Sequence, residues 1–297
     1  MLYDAHCHYQ DPWLTPHREK ILAGLAVLGV RAAVVNGTCE SDWPEVAALS
    51  SRFSAPGSKL RLLSSYGLHP WDVGNRTPDW QRHLLAHLGF TPAHPSSPSH
   101  SSHPPPALGE IGLDRWILDR ARPDDPRLAG LRRAPIEEQT EVFLWQLALA
   151  AARNLPASIH CLDAFGLLHD LLRTANLPAR GFLLHAYSGP VEMVKSFADL
   201  GAFFSFNGAF LAPRHARLRE LYATLPADRL LVETDAPAMR LPSDREKFSL
   251  APAADGSPIN HPANLTVTYA ALADLRREPV DTLAAQVAAN FRRLFLT

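Results

Sequence analysis

The chain has 297 residues, long for one ordinary domain but usual for an α/β barrel with insertions. Hydrophobic residues make up 46% and charged residues 20%, enough apolar side chain for a sizeable core. With 29 basic residues against 30 acidic ones, the net charge of −1 excludes a protein that coats duplex nucleic acid through a basic face. It does not exclude an enzyme that acts on nucleic acid.

The chain enters a strand at once, over Leu2–His8, with no basic start and apolar run of a signal peptide. Further short apolar runs predict strands over Arg31–Asn36, Arg61–Leu68, Ala107–Leu113, Ala157–Cys161, Gly181–Ala186, Ala202–Phe206 and Arg229–Thr234. Helical patterns lie between them, the clearest being Ile136–Arg153, where Phe143, Leu147 and Ala150 form one stripe with Leu144 beside it. Two stretches break the rhythm. The Pro/Ser/His-rich segment Pro92–Pro106 cannot bury a core and is expected as a flexible loop at the N-terminal rim, its His94, His100 and His103 a matter of composition. The segment Trp116–Pro135, with Arg120, Arg122, Arg132 and Arg133, is expected as a solvated loop overhanging the C-terminal face. After the eighth strand come a loop over Ala236–Ile259 and helical segments His261–Arg277 and Val280–Leu294, which would close the barrel.

Eight strands alternating with helices specify a parallel sheet closed as a TIM-type (β/α)8 barrel, residues 1–297 forming one domain. An open doubly wound sheet is the alternative, but no Gly-rich nucleotide turn follows the first strand. Cys7, Cys39 and Cys161 are odd in number and scattered, so no disulfide framework is expected and a reducing cytoplasm is the default. No run is long and apolar enough to predict a membrane span.

In this architecture chemistry sits at the C-terminal ends of the strands, and several ends here carry a candidate ligand. His6 and His8 are two apart on a strand and project to one face. Glu110 lies within an apolar strand, where an unpaired carboxylate is costly. His160 and His185 each end an apolar run, and Asp235 ends another, two residues after Glu233. Any one of these histidines reads best as a satisfied core imidazole. Together, ligands at the same end of several strands are hard to explain by packing. Four imidazoles and two carboxylates suffice for two divalent ions sharing Glu110: zinc, manganese or, with waters, magnesium. Such a pair would activate a water for attack on an ester, with Asp235 as the base.

The motifs Asp4-Ala-His-Cys-His8, Gly67-Leu-His-Pro70, Leu108-Gly-Glu-Ile-Gly-Leu-Asp114, Pro156-Ala-Ser-Ile-His160, His185-Ala-Tyr-Ser-Gly189 and Val232-Glu-Thr-Asp-Ala-Pro237 occur in order. With Asn260-His-Pro-Ala-Asn264 and Asn290-Phe-Arg-Arg-Leu-Phe295, they span nearly the whole chain, which resembles the TatD family of metal-dependent hydrolases among the amidohydrolase-like barrels. The resemblance implies that His6, His8, Glu110 and Asp235 hold one ion and Glu110, His160 and His185 the other. It places His69 near the substrate phosphate and implies a deoxyribonuclease that trims single-stranded DNA from a 3′ end. Two positions depart from the family pattern, Leu162 and Ile259 standing where an arginine is usual. Arg240, Arg245 or an arginine of Trp116–Pro135 would have to compensate for these phosphate-binding cations. Otherwise the substrate is a small ester, lactone or amide. A non-catalytic binding protein on the same barrel is a third reading, disfavoured by the complete ligand set. Trp71, Tyr187 and Phe210 are candidates to stack a base. No membrane or obligate protein partner is expected, and the chain is expected as a monomer.

Overall fold

A computed structural model describes residues 1–53, 57–90 and 105–296. The segment expected as a flexible loop, with His94, His100 and His103, lies almost wholly outside the described residues. Eight strands follow one another in sequence and in space: β1 (Leu2–Cys7), β2 (Val30–Asn36), β3 (Arg61–Tyr66), β4 (Ala107–Asp114), β5 (Ala157–Leu162), β6 (Phe182–Leu184), β7 (Ala202–Asn207) and β8 (Leu230–Glu233). Every neighbouring pair is parallel. The seam between β1 and β8 is bridged at the C-terminal mouth, where Asp235 N donates to His6 O at 3.0 Å and His8 N to Ala236 O at 2.9 Å. The sheet is thus a nearly closed (β/α)8 barrel, as the sequence predicts.

The helices between strands are α1 (Arg18–Val27), α2 (Trp43–Phe53), α3 (Trp80–His87), the short α4 (Trp116–Asp119), α5 (Ile136–Arg153), α6 (Phe165–Thr174), α7 (Val194–Asp199) and α8 (Ala216–Thr224). The closing helices are α9 (Leu265–Arg276) and α10 (Val280–Phe291). In α5 the predicted stripe is the buried one: Phe143, Leu147 and Ala150 are fully buried. Burying a Phe or Leu side chain contributes about 1.5–3 kcal/mol, so this face fixes the helix on the sheet. The helix opens after Pro135 with Glu137 and Glu138 in its first turn and stops at Asn154, whose left-handed φ of 47° ends the turn. The closing helices dock by buried polar contacts as well. The Tyr269 hydroxyl bonds both N (3.1 Å) and O (2.9 Å) of Tyr3, and Asn290 Nδ2 donates to Leu230 O at 2.8 Å.

Several strands end earlier than the apolar runs suggest. β1, β3, β6 and β8 stop before His8, Leu68, His185 and Thr234. There the backbone leaves the ladder for other partners: His69 N donates to Thr38 O at 2.8 Å, and Ala186, at φ 42°, donates to Ser205 Oγ at 3.2 Å. His8, His69, His185 and Asp235 therefore stand on the rim just past the strand ends, whereas Glu110 and His160 are held within β4 and β5.

Two glutamines of α5 set that rim. Gln146 receives a hydrogen bond from Leu68 N at 2.8 Å and donates to Leu68 O at 3.2 Å. Gln139 does the same for Asp114, at 2.8 and 3.1 Å. Both amides are fully buried. They satisfy backbone groups where β3 and β4 leave the sheet, which fixes the chain beside His69 and at Asp114.

Candidate metal centre

Glu110 is the centre of the rim, 3% exposed, and its two oxygens face different imidazoles. Oε2 lies 3.3 Å from both His6 Nε2 and His8 Nε2. Oε1 lies 2.8 Å from His185 Nε2, 3.0 Å from His160 Nδ1 and 3.3 Å from His69 Nε2. Asp235 Oδ1 adds a second carboxylate to the first group, 3.1 Å from His8 Nε2 and 3.5 Å from His6 Nε2. Among the described residues three sets of donors lie close enough to hold an ion: His6, His8 and Asp235; His6, Glu110 and His185; and His69, Glu110 and His160.

The donors have the spacing of ligands. His6 Nε2 and His8 Nε2 are 3.2 Å apart, and His160 Nδ1 and His185 Nε2 are 3.3 Å apart. Metal–nitrogen bonds of roughly 2.0–2.1 Å place neighbouring ligand atoms roughly 3.0–3.4 Å apart around one ion. The far nitrogens of the rings are tied down. His8 Nδ1–H donates to Asn36 O at 2.8 Å, which leaves the Nε2 lone pair of the neutral ring for an ion. His6 Nδ1 bonds Ser158 Oγ at 2.8 Å, and His160 Nε2 bonds Asp114 Oδ2 at 3.1 Å. His185 Nδ1 is 3.6 Å from Glu233 Oε1 and is otherwise an unpartnered buried nitrogen. Glu233 is itself fully buried and accepts from Ser205 and Asn207.

His69 differs. Its Nδ1 accepts from Trp71 N at 3.2 Å, so the neutral ring carries its hydrogen on Nε2. That nitrogen is a donor toward Glu110, not a lone pair. Although distance alone admits His69 to a ligand set, its hydrogen bonding suits it to an oxygen of a substrate.

The ionisation pattern follows from this packing. Burial opposes the charge on Glu110, yet His185, His69 and His6, with a hydrogen bond from His160, hold its carboxyl well below the usual range. Asp235 is also lowered, burial being outweighed chiefly by its hydrogen bond and charge contact with His8. Burial would lower His160, but Asp114 and Glu110 raise it to about 9. His8 and His185 are raised well above the ordinary imidazole value, by Asp235 and Glu110 in one case and Glu110 and Glu233 in the other, against burial. His6 and His69 are lowered, chiefly by burial. Four buried carboxylates, Glu110, Asp235, Asp114 and Glu233, thus draw protons onto three imidazoles, and divalent cations would answer the same electrostatic demand.

Asp4, two residues before His6, anchors the seam. It accepts from Thr234 N (3.0 Å), Thr234 Oγ1 (2.6 Å) and the Tyr9 hydroxyl (2.9 Å), and burial pushes its carboxyl up to about 7.

The other residues singled out by sequence are placed as follows. Arg240 forms a two-pronged pair with Glu246, both contacts 2.5 Å, and Arg245 lies 3.7 Å from Asp244. In the segment after β4, Arg120 lies 3.2 Å from Asp163, Arg122 pairs with Asp124, Arg132 with Glu138, and Arg133 donates to backbone carbonyls. That segment includes α4 and a 3-10 turn at Pro126–Leu128, so it is more structured than a plain solvated loop. Tyr187 and Phe210 are corrected as base-stacking candidates. They are 1% and 2% exposed, packed among Phe165, Phe204 and Tyr222, because both fall on inward-facing positions. Trp71 stays half-buried. Asp114, Ser158 and Glu233 have orienting roles that the residue pattern does not show, although it sets Glu233 two residues before Asp235, since each acts on a ring from another strand.

The TatD related DNase family model matches residues 3–296. The uncharacterized metal-dependent hydrolase YjjV of Escherichia coli (strain K12) is 30% identical over 292 residues, 98% of this chain and 96% of that protein. The 3'-5' ssDNA/RNA exonuclease TatD of Klebsiella pneumoniae (strain 342) is 30% identical over 295 residues, 99% and 97% of the two chains. The crystal structure of the TatD homologue YjjV from Escherichia coli superposes with a TM-score of 0.77 at 29% identity, covering 100% of this chain and 98% of that one. With a match over almost every residue and a barrel whose rim gathers imidazoles around a buried glutamate, the chain belongs to the TatD family of metal-dependent hydrolases.

Proposed function

We propose that the protein is a divalent-metal-dependent phosphodiesterase that trims single-stranded DNA from the 3′ end at a two-metal site. The observation that carries this reading is the division of labour at Glu110. One oxygen faces His6 and His8, beside Asp235, and the other faces His160 and His185. His6, His8, Glu110 and Asp235 would hold one ion and Glu110, His160 and His185 the second, as magnesium, manganese or zinc. Bound divalent ions supply Lewis acidity, which acidifies a water and neutralises charge on the attacked centre.

The chain's own groups do the rest. Asp235 is the base: its Oδ1 faces the two imidazoles of β1, and its second carboxylate oxygen orients the water and takes its proton. His69, neutral and with its hydrogen on Nε2, donates to a phosphoryl oxygen. Asp114 and Glu233 keep His160 and His185 turned toward Glu110. The substrate class is supported by the relative named a 3'-5' ssDNA/RNA exonuclease. The unpaired Cys7, Cys39 and Cys161 suit a cytoplasmic setting.

A second reading keeps the metals and takes a small ester, lactone or amide. It is favoured by Leu162 and Ile259 at the positions of the usual arginines, and by the pairing of Arg240 with Glu246.

The test is incubation of metal-stripped protein with 3′-labelled single-stranded DNA, adding magnesium, manganese or zinc, beside Glu110→Ala and Asp235→Ala. Metal-restored stepwise shortening by the wild type, lost in both variants, is expected. A metal-loaded wild type that leaves DNA intact but opens esters or lactones would transfer the assignment to the second reading.

A further inference from the structure

Trp71 leaves the rim two residues after His69, and Trp116 opens α4 two residues after Asp114. Both therefore stand in strand-to-helix connections, past the C-terminal ends of β3 and β4. Trp71 Nε1 donates to Asp114 Oδ2 at 2.6 Å, and that same oxygen lies 3.1 Å from His160 Nε2. One carboxylate oxygen thus joins the indole to a ring of the candidate metal centre. The Trp71 and Trp116 rings are 6.2 Å apart and within 22° of parallel, and the Trp71 ring also meets His69 edge-on at 5.7 Å. Arg127 lies over the Trp116 ring at 4.6 Å and within 6.0 Å of Trp71. Asp125 grips the guanidinium through Nε (2.9 Å) and Nη2 (2.7 Å), which holds it in one plane.

Packing alone explains such a stack poorly. Both indoles keep part of their surface in solvent, and the Arg127 side chain is 56% exposed, whereas the other aromatic candidates are sealed in the core. Planar groups stacked in the open beside a catalytic rim suit another planar group.

We propose that Trp71, Trp116 and Arg127 form a stacking platform for the nucleobase beside the scissile phosphodiester, a subsite that rests on the nuclease reading above. Aromatic and guanidinium faces accept any base, since every base has a π-face, so the platform binds without reading sequence. It selects single strands, because bases in a duplex already stack on each other. It also supplies binding energy that the chain does not draw from cations at Leu162 and Ile259.

The test measures calorimetric binding of deoxyadenosine monophosphate and of 2-deoxyribose 5-phosphate to the metal-loaded protein, in wild type, Trp116→Ala and Trp116→Phe. Alongside it, KM and kcat are compared on a base-bearing single strand and on one with abasic analogues near its 3′ end. Wild type is expected to bind the nucleotide roughly tenfold more tightly than the sugar phosphate, the usual worth of one base–aromatic stack. Trp116→Ala should erase that preference and raise KM on the base-bearing strand alone, with kcat within about twofold; Trp116→Phe should recover most of it. Should Trp116→Ala not fold, Arg127→Ala at its exposed position is expected to weaken nucleotide binding severalfold. Equal binding of nucleotide and sugar phosphate by wild type, or a preference untouched by the variants, would overturn the platform. A nucleotide preference that Trp116→Ala erases, in a protein that cleaves no DNA, would sink the nuclease reading and leave the platform standing.

Discussion

Asp114 is the residue on which most depends without touching the donor cluster's carboxylates. Its Oδ2 faces His160 Nε2 and accepts from Trp71 Nε1, and its Oδ1 accepts from Ile117 N. Asp114→Asn keeps the shape but loses the charge that holds His160 turned and basic. It is expected to weaken divalent-metal affinity about 10–100-fold, as losses of such orienting partners do, read by competition with a chelating dye. Unchanged affinity would mean that His160 is no ligand. Protonation gives a second expectation. His160 has its value raised to about 9 from 6.5, and His8 and His185 are raised in the same direction. Groups whose values rise on folding stabilise the fold fully below the unfolded value and lose that contribution as pH climbs through the folded one. Metal-free protein should therefore melt at lower temperature as pH rises from about 6.5 to about 9. Bound divalent ions should flatten the slope, because they replace the protons; a metal-free melting temperature that rises over this window would contradict the ionisation pattern.

At the scale of elements, the β4–β5 contact is the tightest constraint on the site. Gly112 faces His160 in register, and a Cβ there would sit 1.9 Å from His160 O. Gly112→Ala must push β4 from β5 between Glu110 and Asp114. It is expected to cost about 2–3 kcal/mol or more in chemical denaturation and to loosen metal binding. A variant of wild-type stability and metal content would show that the strands can part there freely. The sequence makes the strand centres legible because β-runs such as Ala157–Ile159 are bounded by turns, and makes His6, His8, Glu110, His160, His185 and Asp235 legible because each is an ionisable or imidazole side chain within or at the end of an apolar run. It is silent on where each strand leaves its ladder, since that depends on distant partners such as Gln139 and Gln146 of α5. The same limit hides the roles of Asp114 and Glu233 and the Trp71–Trp116 stack, whose partners are 25 to 48 residues away in the chain. It also hides that Tyr187 and Phe210 face the core.

For the molecule as a whole, the near-zero net charge sets how a nucleic acid would be held. With −1 overall, Arg120 and Arg240 each beside a carboxylate and Arg133 bonded to backbone carbonyls, few phosphate counterions can be released on binding. Single-strand affinity is expected to fall with salt at a log–log slope shallower than about −2, measured by fluorescence anisotropy with catalysis blocked by Asp235→Asn. A steep slope would reveal a basic groove that the pairing pattern does not provide. Among the described residues no helix is long and apolar enough to cross a membrane. Everything proposed about reaction and substrate depends on the rim holding metal. The most direct measurement is the metal content of protein dialysed against manganese or zinc and freed of excess, for wild type and Glu110→Gln. Two ions per chain are expected in the wild type and fewer than one in the variant, because Glu110 offers an oxygen to each donor group. A wild type that retains no divalent ion, or a Glu110→Gln protein that retains both, would contradict the account.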